Sequence, residues 1–214
     1  MNHRFEFPDS FFVTGTDTEV GKTVVSAVLA FGLKAGYWKP VQAGLTPSTD
    51  TKRVKKWTEF PESHFYPERY RLNEPMSPHA AAELENIDIH LNAFTLPSPT
   101  QKHLIVEGAG GLMVPLNRRQ YMTDLIEHLE LPVLLVARSG LGTINHTLLS
   151  LEILRKKKIP LIGVVLNGER NPSNEDAIQH FGRVNRVFTL LPLTDFTPGE
   201  LNSSFQKTFS DYAS

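Results

Sequence analysis

Phe11-Phe12-Val13-Thr14-Gly15-Thr16-Asp17-Thr18-Glu19-Val20-Gly21-Lys22-Thr23 is a hydrophobic run that passes through a Gly/Thr loop into a helix starting at Lys22. Strand, loop and helix in that order make a phosphate cradle. Backbone N–H groups of the loop and of the first helical turn point at phosphate oxygens, and the helix dipole favours the anion. Lys22 is expected to reach the β- and γ-phosphates, and the Thr23 hydroxyl to bind Mg2+. The pattern departs from the common one: counting back from Gly21-Lys22-Thr23 puts Thr16 at the usual first glycine, and Gly15 lies one residue early.

Outward from this loop, short apolar runs alternate with longer amphipathic stretches, as in strands joined by helical crossovers. The expected strands are Phe11–Thr14, Tyr37–Val41, His103–Glu107, Pro132–Ala137, Leu161–Asn167 and Val187–Leu190. Most are apolar without polar alternation, as strands covered on both faces should be. Helical spacing marks Lys22–Lys34, Thr123–Glu130, Thr143–Lys157, Asn174–Phe181 and the tail from Gly199, with Thr143 and Ser173 or Asn174 as caps. The fold class is therefore α/β: a mostly parallel central sheet between two helical layers, of the P-loop NTPase type. Leu45–Arg71 reads as an irregular excursion from the sheet with a short helix near Thr51–Thr58, and Leu91–Gln101 as a surface connection. Neither resembles a domain linker, so residues 1–214 are expected to form one domain. Lys156–Lys158 reads as the solvated last turn of a helix.

Composition excludes several classes. The 214 residues, 40% hydrophobic and 21% charged, suit a folded soluble domain rather than a disordered segment. With no cysteine, thiolate metal sites, disulfide scaffolds and cysteine nucleophiles are ruled out, which suits a reducing cytoplasm. A formal charge of −1 gives no overall basic field for nucleic acid. Met1 to Ser10 do not read as a secretory signal, and no apolar run approaches the roughly 20 residues of a membrane span.

Two further strand ends carry chemistry. In Leu104-Ile105-Val106-Glu107-Gly108-Ala109-Gly110-Gly111 an apolar strand ends in a carboxylate and a glycine-rich turn. At the carboxyl edge of the sheet Glu107 would supply Mg2+ with a carboxylate, directly or through water, and the glycines would let the backbone approach the γ-phosphate. In Lys39-Pro40-Val41-Gln42-Ala43-Gly44 a lysine reaches the same edge, where a second cation would neutralise a transferring phosphoryl group. Taken by itself, Lys39 reads as an ordinary surface lysine and Asp50 as a turn cap. His79 and His146 lack metal-ligand spacing and read as packing or surface histidines. Ser77-Pro78 reads either as a turn or as a loop shaping a substrate site.

The phosphate loop, then Tyr37-Trp38-Lys39-Pro40-Val41, Glu74-Pro75-Met76-Ser77-Pro78-His79, Val106-Glu107-Gly108-Ala109-Gly110-Gly111 and Leu141-Gly142-Thr143-Ile144-Asn145-His146 follow the order seen in dethiobiotin synthetases. The resemblance spans about Phe11 to Asn167. It implies an ATP- and Mg2+-dependent ligase that closes a cyclic urea on 7,8-diaminononanoate with CO2, yielding dethiobiotin, ADP and phosphate in biotin biosynthesis. By motif position, Thr23, Asp50 and Glu107 would hold Mg2+. Lys22 would bridge phosphates and carbamate, Lys39 would stabilise the carbamate and the transferring phosphoryl group, and Thr18 would touch the carbamate. ATP would be bound by Glu19, Val20, Gly21, Lys22, Thr23 and Val24, with Asp50, Glu107, Gly108, Ala109 and Gly110. Gly142, Thr143, Ile144 and Asn145, from a partner subunit, would receive the substrate carboxylate, which implies a homodimer with shared sites. Read alone, that segment is a helix cap.

The chain also departs from the family pattern. Ala43 stands where a hydroxyl often contacts substrate, leaving that hydrogen bond absent or supplied by Gln42. The base-binding edge often reads Asn-Asp but here reads Asn167-Gly168, and the later segment reads Leu191-Pro192-Leu193. Without a carboxylate at Gly168, looser base selectivity is expected. Two other readings compete with the ligase. A partitioning or regulatory ATPase would carry an additional lysine early in the loop, where Thr16-Asp17-Thr18 has none, and a small-molecule kinase would need an arginine-rich lid, for which Arg69, Arg71, Arg118 and Arg119 are sparse.

Overall fold

A computed structural model describes residues 6–209. The expectations for the first five residues and for the chain beyond residue 209 lie outside them. The central sheet has seven strands in the order β4-β2-β6-β1-β7-β8-β9. These are β4 (Phe65–Tyr66), β2 (Gly36–Trp38), β6 (Leu104–Gly111), β1 (Ser10–Gly15), β7 (Val133–Arg138), β8 (Leu161–Asn167) and β9 (Val187–Leu190). Every pairing is parallel. Parallel neighbours need crossovers, which seven helices among the described residues provide: α1 (Lys22–Leu33), α2 (Asp50–Thr58), α3 (Pro78–Leu84), α4 (Met122–His128), α5 (Thr143–Lys156), α6 (Pro172–Gly182) and α7 (Pro198–Thr208).

Strand side chains alternate between two cores, as a period of two requires. Phe11, Val13, Ile105, Leu134 and Val136 pack with Val25, Leu29, Leu201 and Phe205 of α1 and α7. Phe12, Leu104, Val106, Val133 and Leu135 pack with Leu125, Leu151, Leu154 and Ile178 of α4, α5 and α6. These are the three layers expected from continuously apolar strands. Gly32 allows the close approach of α1 and α7, since a Cβ there would lie 2.0 Å from the Phe205 ring.

Several boundaries differ from expectation for identifiable reasons. The run Tyr37–Val41 is not one strand. Pro40 has no N–H to donate to a ladder, so β2 stops at Trp38 and the chain passes to a second, two-stranded sheet of β3 (Val41–Ala43) and β5 (Tyr70–Leu72). The stretch Leu45–Arg71 contains the expected short helix, as α2, but is not wholly an excursion: Phe65–Tyr66 returns as the edge strand β4, too short to show a period. β6 continues through Gly111 instead of turning after Glu107, with a register irregularity where it passes the phosphate loop. Gly142, not Thr143, caps α5, and the Thr143 hydroxyl lies buried against Thr147. Asn171 caps α6, accepting from the Asn174 N–H, so neither Ser173 nor Asn174 is the cap. Lys157 is ion-paired with Asp124 and Glu127 of α4 rather than simply solvated.

Candidate active site

The carboxyl ends of β1, β2 and β6 are adjacent, because β6 lies between the other two. This order brings the three sequence features together. The phosphate loop is built on two glycines. A Cβ at Gly15 would stand 2.7 Å from the Asp17 carbonyl and 3.0 Å from the Lys22 ammonium, so the displaced glycine lets the loop curl over the lysine. Gly21 has φ +92°, and a Cβ there would come within 2.0 Å of Asn167 Nδ2. That Nδ2 donates to the Val20 carbonyl at 3.1 Å, bracing the loop from β8. No side chain caps α1, which leaves its first N–H groups for a ligand. Lys22 Nζ donates to the Asp17 carbonyl at 2.9 Å and points along the loop's inner face.

Glu107 is wholly buried at the end of its apolar run and is held by three donors. Thr23 Oγ1 donates to Oε1 at 2.9 Å, Lys39 Nζ to the same oxygen at 2.9 Å, and Tyr37 Oη to Oε2 at 3.0 Å. Lys39 also donates to the Gly108 carbonyl at 3.0 Å and pairs with Asp50 Oδ2 at 2.8 Å. At 2% exposure Lys39 is not the surface lysine its position alone suggested. Asp50 is more than a turn cap: it opens α2, Thr49 caps that helix, and the buried Gln42 fixes it by accepting from the Asp50 N–H at 3.0 Å. Gln42 donates its amide N–H to the Ala43 and Gly44 carbonyls, so both ends of its side chain are engaged.

The charges are strongly coupled. Burial, reinforced by the nearby Lys39 cation, lowers the Lys22 pKa to about 8. Burial alone would lower Lys39 too, but Glu107 and Asp50 outweigh it and hold its ammonium above the ordinary lysine range. Burial would raise Asp50, yet Lys39, the Thr23 hydroxyl and Arg53 together keep its carboxyl below the usual value. Thr23, Asp50 and Glu107 thus present hard oxygen donors around one point, where the Lys39 ammonium balances the two carboxylates. A hydroxyl with two carboxylates fits Mg2+, which commonly takes few protein ligands alongside substrate phosphates.

A cavity of about 570 Å3 opens over this cluster. Its wall includes Thr18, Glu19, Gly21, Lys22, Thr23 and Val24 from the loop, Lys39, Ala43 and Asp50 from the neighbouring edge, and Glu107, Ala109 and Gly110 from β6. Val20 is buried and Gly108 is not part of the wall, its carbonyl accepting instead from Lys39 Nζ. Met76, Ser77 and Pro78 also line it, Ser77 as the cap of α3. Arg53 and Trp57 of α2 line it as well, and the sequence alone did not point to either; their spacing from Asp50 along α2, at three and seven residues, was the available signal.

The remaining expected residues lie elsewhere. Asn167 braces Gly21 from behind, with Gly168 next to it, and Leu191 and Pro192 line a separate groove along β9 while Leu193 packs on the α1 core. Gly142, Ile144 and Asn145 surround the start of α5 outside the cavity wall, beside the fully exposed Leu141. His79 lines another surface hollow, and His146 is exposed.

The chain matches the family model described as AAA domain over residues 9–198. It is 49% identical to a protein named ATP-dependent dethiobiotin synthetase BioD from Paramagnetospirillum magneticum, over 93% of this chain and 96% of that one. Proteins of the same name from Brucella ovis and Bradyrhizobium diazoefficiens are each 47% identical over 92% of this chain, covering 92% and 93% of their own lengths. Among solved structures, the ParA family ATPase from Chlorobium tepidum superposes with a TM-score of 0.51 over 97% of this chain and 99% of that one. At 14% identity that likeness shows the fold alone.

Proposed function

The chain belongs to the family of ATP-dependent dethiobiotin synthetases, and from that membership we propose how its own residues serve the reaction. The enzyme is an ATP-dependent cyclo-ligase of biotin biosynthesis that closes the ureido ring of dethiobiotin from 7,8-diaminononanoate and CO2. One amine takes up CO2 as a carbamate, whose oxygen attacks the γ-phosphorus as the bond to ADP breaks. The second amine then attacks the carbonyl carbon of the mixed anhydride, phosphate leaves, and the ring closes.

Phosphoryl transfer of this kind needs alignment and cations more than a strong base. Lys22 lies along the loop that cradles the phosphates and would bridge them to the carbamate. Lys39 would neutralise the carbamate and the transferring group, and Thr18 would hydrogen-bond the carbamate. Thr23, Asp50 and Glu107 would hold Mg2+, which supplies charge neutralisation for the phosphates. The observation that carries this reading is the convergence of two buried lysines, a hydroxyl and two carboxylates on one cavity beside the phosphate loop.

The same reading treats residues 1–214 as one P-loop domain that works as a homodimer. Gly142, Thr143, Ile144 and Asn145 would reach the partner's cavity and meet the substrate carboxylate with a helix start. Leu141, fully exposed beside them, supports a covered face there. Among the described residues no helix is long and apolar enough to cross a membrane; we place the enzyme in the cytoplasm on its lack of cysteine. Mixing the protein with 7,8-diaminononanoate, labelled bicarbonate, Mg2+ and ATP should put label into dethiobiotin. A folded protein that incorporates none would overturn the reading.

A further inference from the structure

Gln42, next to Ala43 on β3, is only 4% exposed, and both ends of its amide are engaged by its own chain. The nitrogen donates to the Ala43 and Gly44 carbonyls, each at 3.0 Å, and the oxygen accepts from the Asp50 N–H, also at 3.0 Å. Gln42 therefore does not supply the substrate hydrogen bond that Ala43 lacks. Its bonds shape the connection between β3 and α2 instead. The nitrogen holds the turn at Gly44, which sits at φ +78° with its own N–H on the Leu72 carbonyl. At the other end of the connection, Asp50 is the first residue of α2, where a backbone N–H has no partner within the helix. Thr49 caps α2 by accepting from the Lys52 N–H at 3.3 Å, so the Asp50 N–H needs another acceptor, and Gln42 is it. Gly44, Thr46, Ser48 and Asp50, all on this connection, line the cavity.

We propose that Gln42 is a positioning residue for the metal set: it fixes the backbone from which the Asp50 carboxylate points to Mg2+, and it does not bind the diamine. The proposal rests on the reading that Thr23, Asp50 and Glu107 hold Mg2+. Asp50 is then anchored twice, by Lys39 Nζ at 2.8 Å on its carboxylate and by Gln42 on its N–H. With the second anchor gone, the start of α2 can turn about the first, and the carboxylate no longer has one direction. Partners that orient a metal ligand in this way commonly govern affinity for the ion.

Calorimetry of ADP binding to the full chain, with Mg2+ and with EDTA in its place, reads the gain in ADP affinity that Mg2+ brings. Gln42→Met keeps the length of the side chain and removes both polar ends. It should cut that gain by about tenfold, with ADP affinity in EDTA changed by less than about threefold. Asp50→Asn should cut the gain too, and adding Gln42→Met to Asp50→Asn should cut it no further. A merely structural role would weaken ADP binding equally with and without Mg2+, or add to the effect of Asp50→Asn, and either result would overturn the proposal. So would a raised KM for the diamine with the Mg2+ gain intact. Should Gln42→Met fail to fold, deuterium exchange at the Asp50 amide of the unsubstituted protein decides: it should be slower than in an unstructured chain by about a hundredfold or more, and exchange at the unstructured rate would overturn the proposal. An Asp50→Asn protein that keeps the full Mg2+ gain defeats the metal assignment and this inference with it. One that loses the gain while Gln42→Met keeps it defeats this inference alone.

Discussion

Tyr37 donates its hydroxyl to Glu107 Oε2 at 3.0 Å, with both side chains wholly buried. Burial, then the charges of Glu107 and Asp50, push the Tyr37 pKa well above its ordinary value, so the phenol stays a donor. Tyr37→Phe removes that donor and leaves a buried carboxylate oxygen unpaired. Stability should fall by about 1–3 kcal/mol, read as a lower urea midpoint with an unchanged slope. An unaltered midpoint would mean that water or another donor already serves Oε2.

Lys39→Gln should abolish dethiobiotin formation while nucleotide binding is largely kept, because the phosphate loop is untouched. The structure adds a second expectation. Without the ammonium, Glu107 and Asp50 face one another uncompensated, a situation that typically costs about 3–5 kcal/mol when a buried pair is broken. The ligand-free variant should therefore melt well below the parent, and Mg2+ with ADP should recover much of the loss. A variant that melts like the parent without Mg2+ would contradict the role given to Lys39.

Glu107→Gln leaves the shape of the site but withdraws one charge from it. The Mg2+ concentration needed for half-maximal turnover should rise by about tenfold or more, in line with the loss of a charged ligand. A Mg2+ titration that superposes on the parent's would remove Glu107 from the metal set.

ATP, GTP and CTP should support turnover at matched concentrations with smaller differences than a carboxylate at position 168 would impose. Restoring one is obstructed, since Gly168 has φ +134° and a Cβ there would lie 2.5 Å from Ser139 Oγ. Gly168→Asp is thus expected to lower the melting temperature before it sharpens selectivity. A strict ATP requirement in the parent would sink the expectation.

Lys157 bridges Asp124 and Glu127, tying the end of α5 to α4. Burial would raise Asp124, but the hydrogen bonds from Lys157 at 2.8 Å and from the Tyr121 N–H at 2.6 Å prevail and lower its pKa. Hydrogen bonds to Asp124 and Glu127 raise that of Lys157. The Asp124 contribution is therefore complete above its unfolded value, near 3.9, and disappears as pH falls through the lower folded one. The Lys157 contribution is complete below about 10.4 and disappears as pH rises past the folded value. Both groups are partly exposed, so Lys157→Ala should cost only roughly 0.5 kcal/mol at neutral pH and flatten the acid limb of the stability profile. An unchanged acid limb would show the pair to be silent.

The parallel three-layer fold was legible because most of its strands fall in apolar runs of four to seven residues between long helical periods. The phosphate loop was legible because its chemistry is contiguous. Lys39 and Asp50 were weak signals one at a time, and what makes them chemical is adjacency to Glu107, which depends on β6 lying between β2 and β1. No local pattern encodes that order. The strand Phe65–Tyr66 was invisible for lack of length, and Trp57 because its partner Phe196 is more than a hundred residues away.

Tyr37 and Lys39 reach the same carboxylate because they are two residues apart on an extended chain, while Trp38 between them faces the opposite core. The site therefore depends on parity. One residue inserted between Tyr37 and Lys39 would turn the lysine to the other side of the sheet with every side chain still present, and Pro40 leaves no room beyond it for the register to recover. In this short segment the counting of residues is under stricter control than their identity.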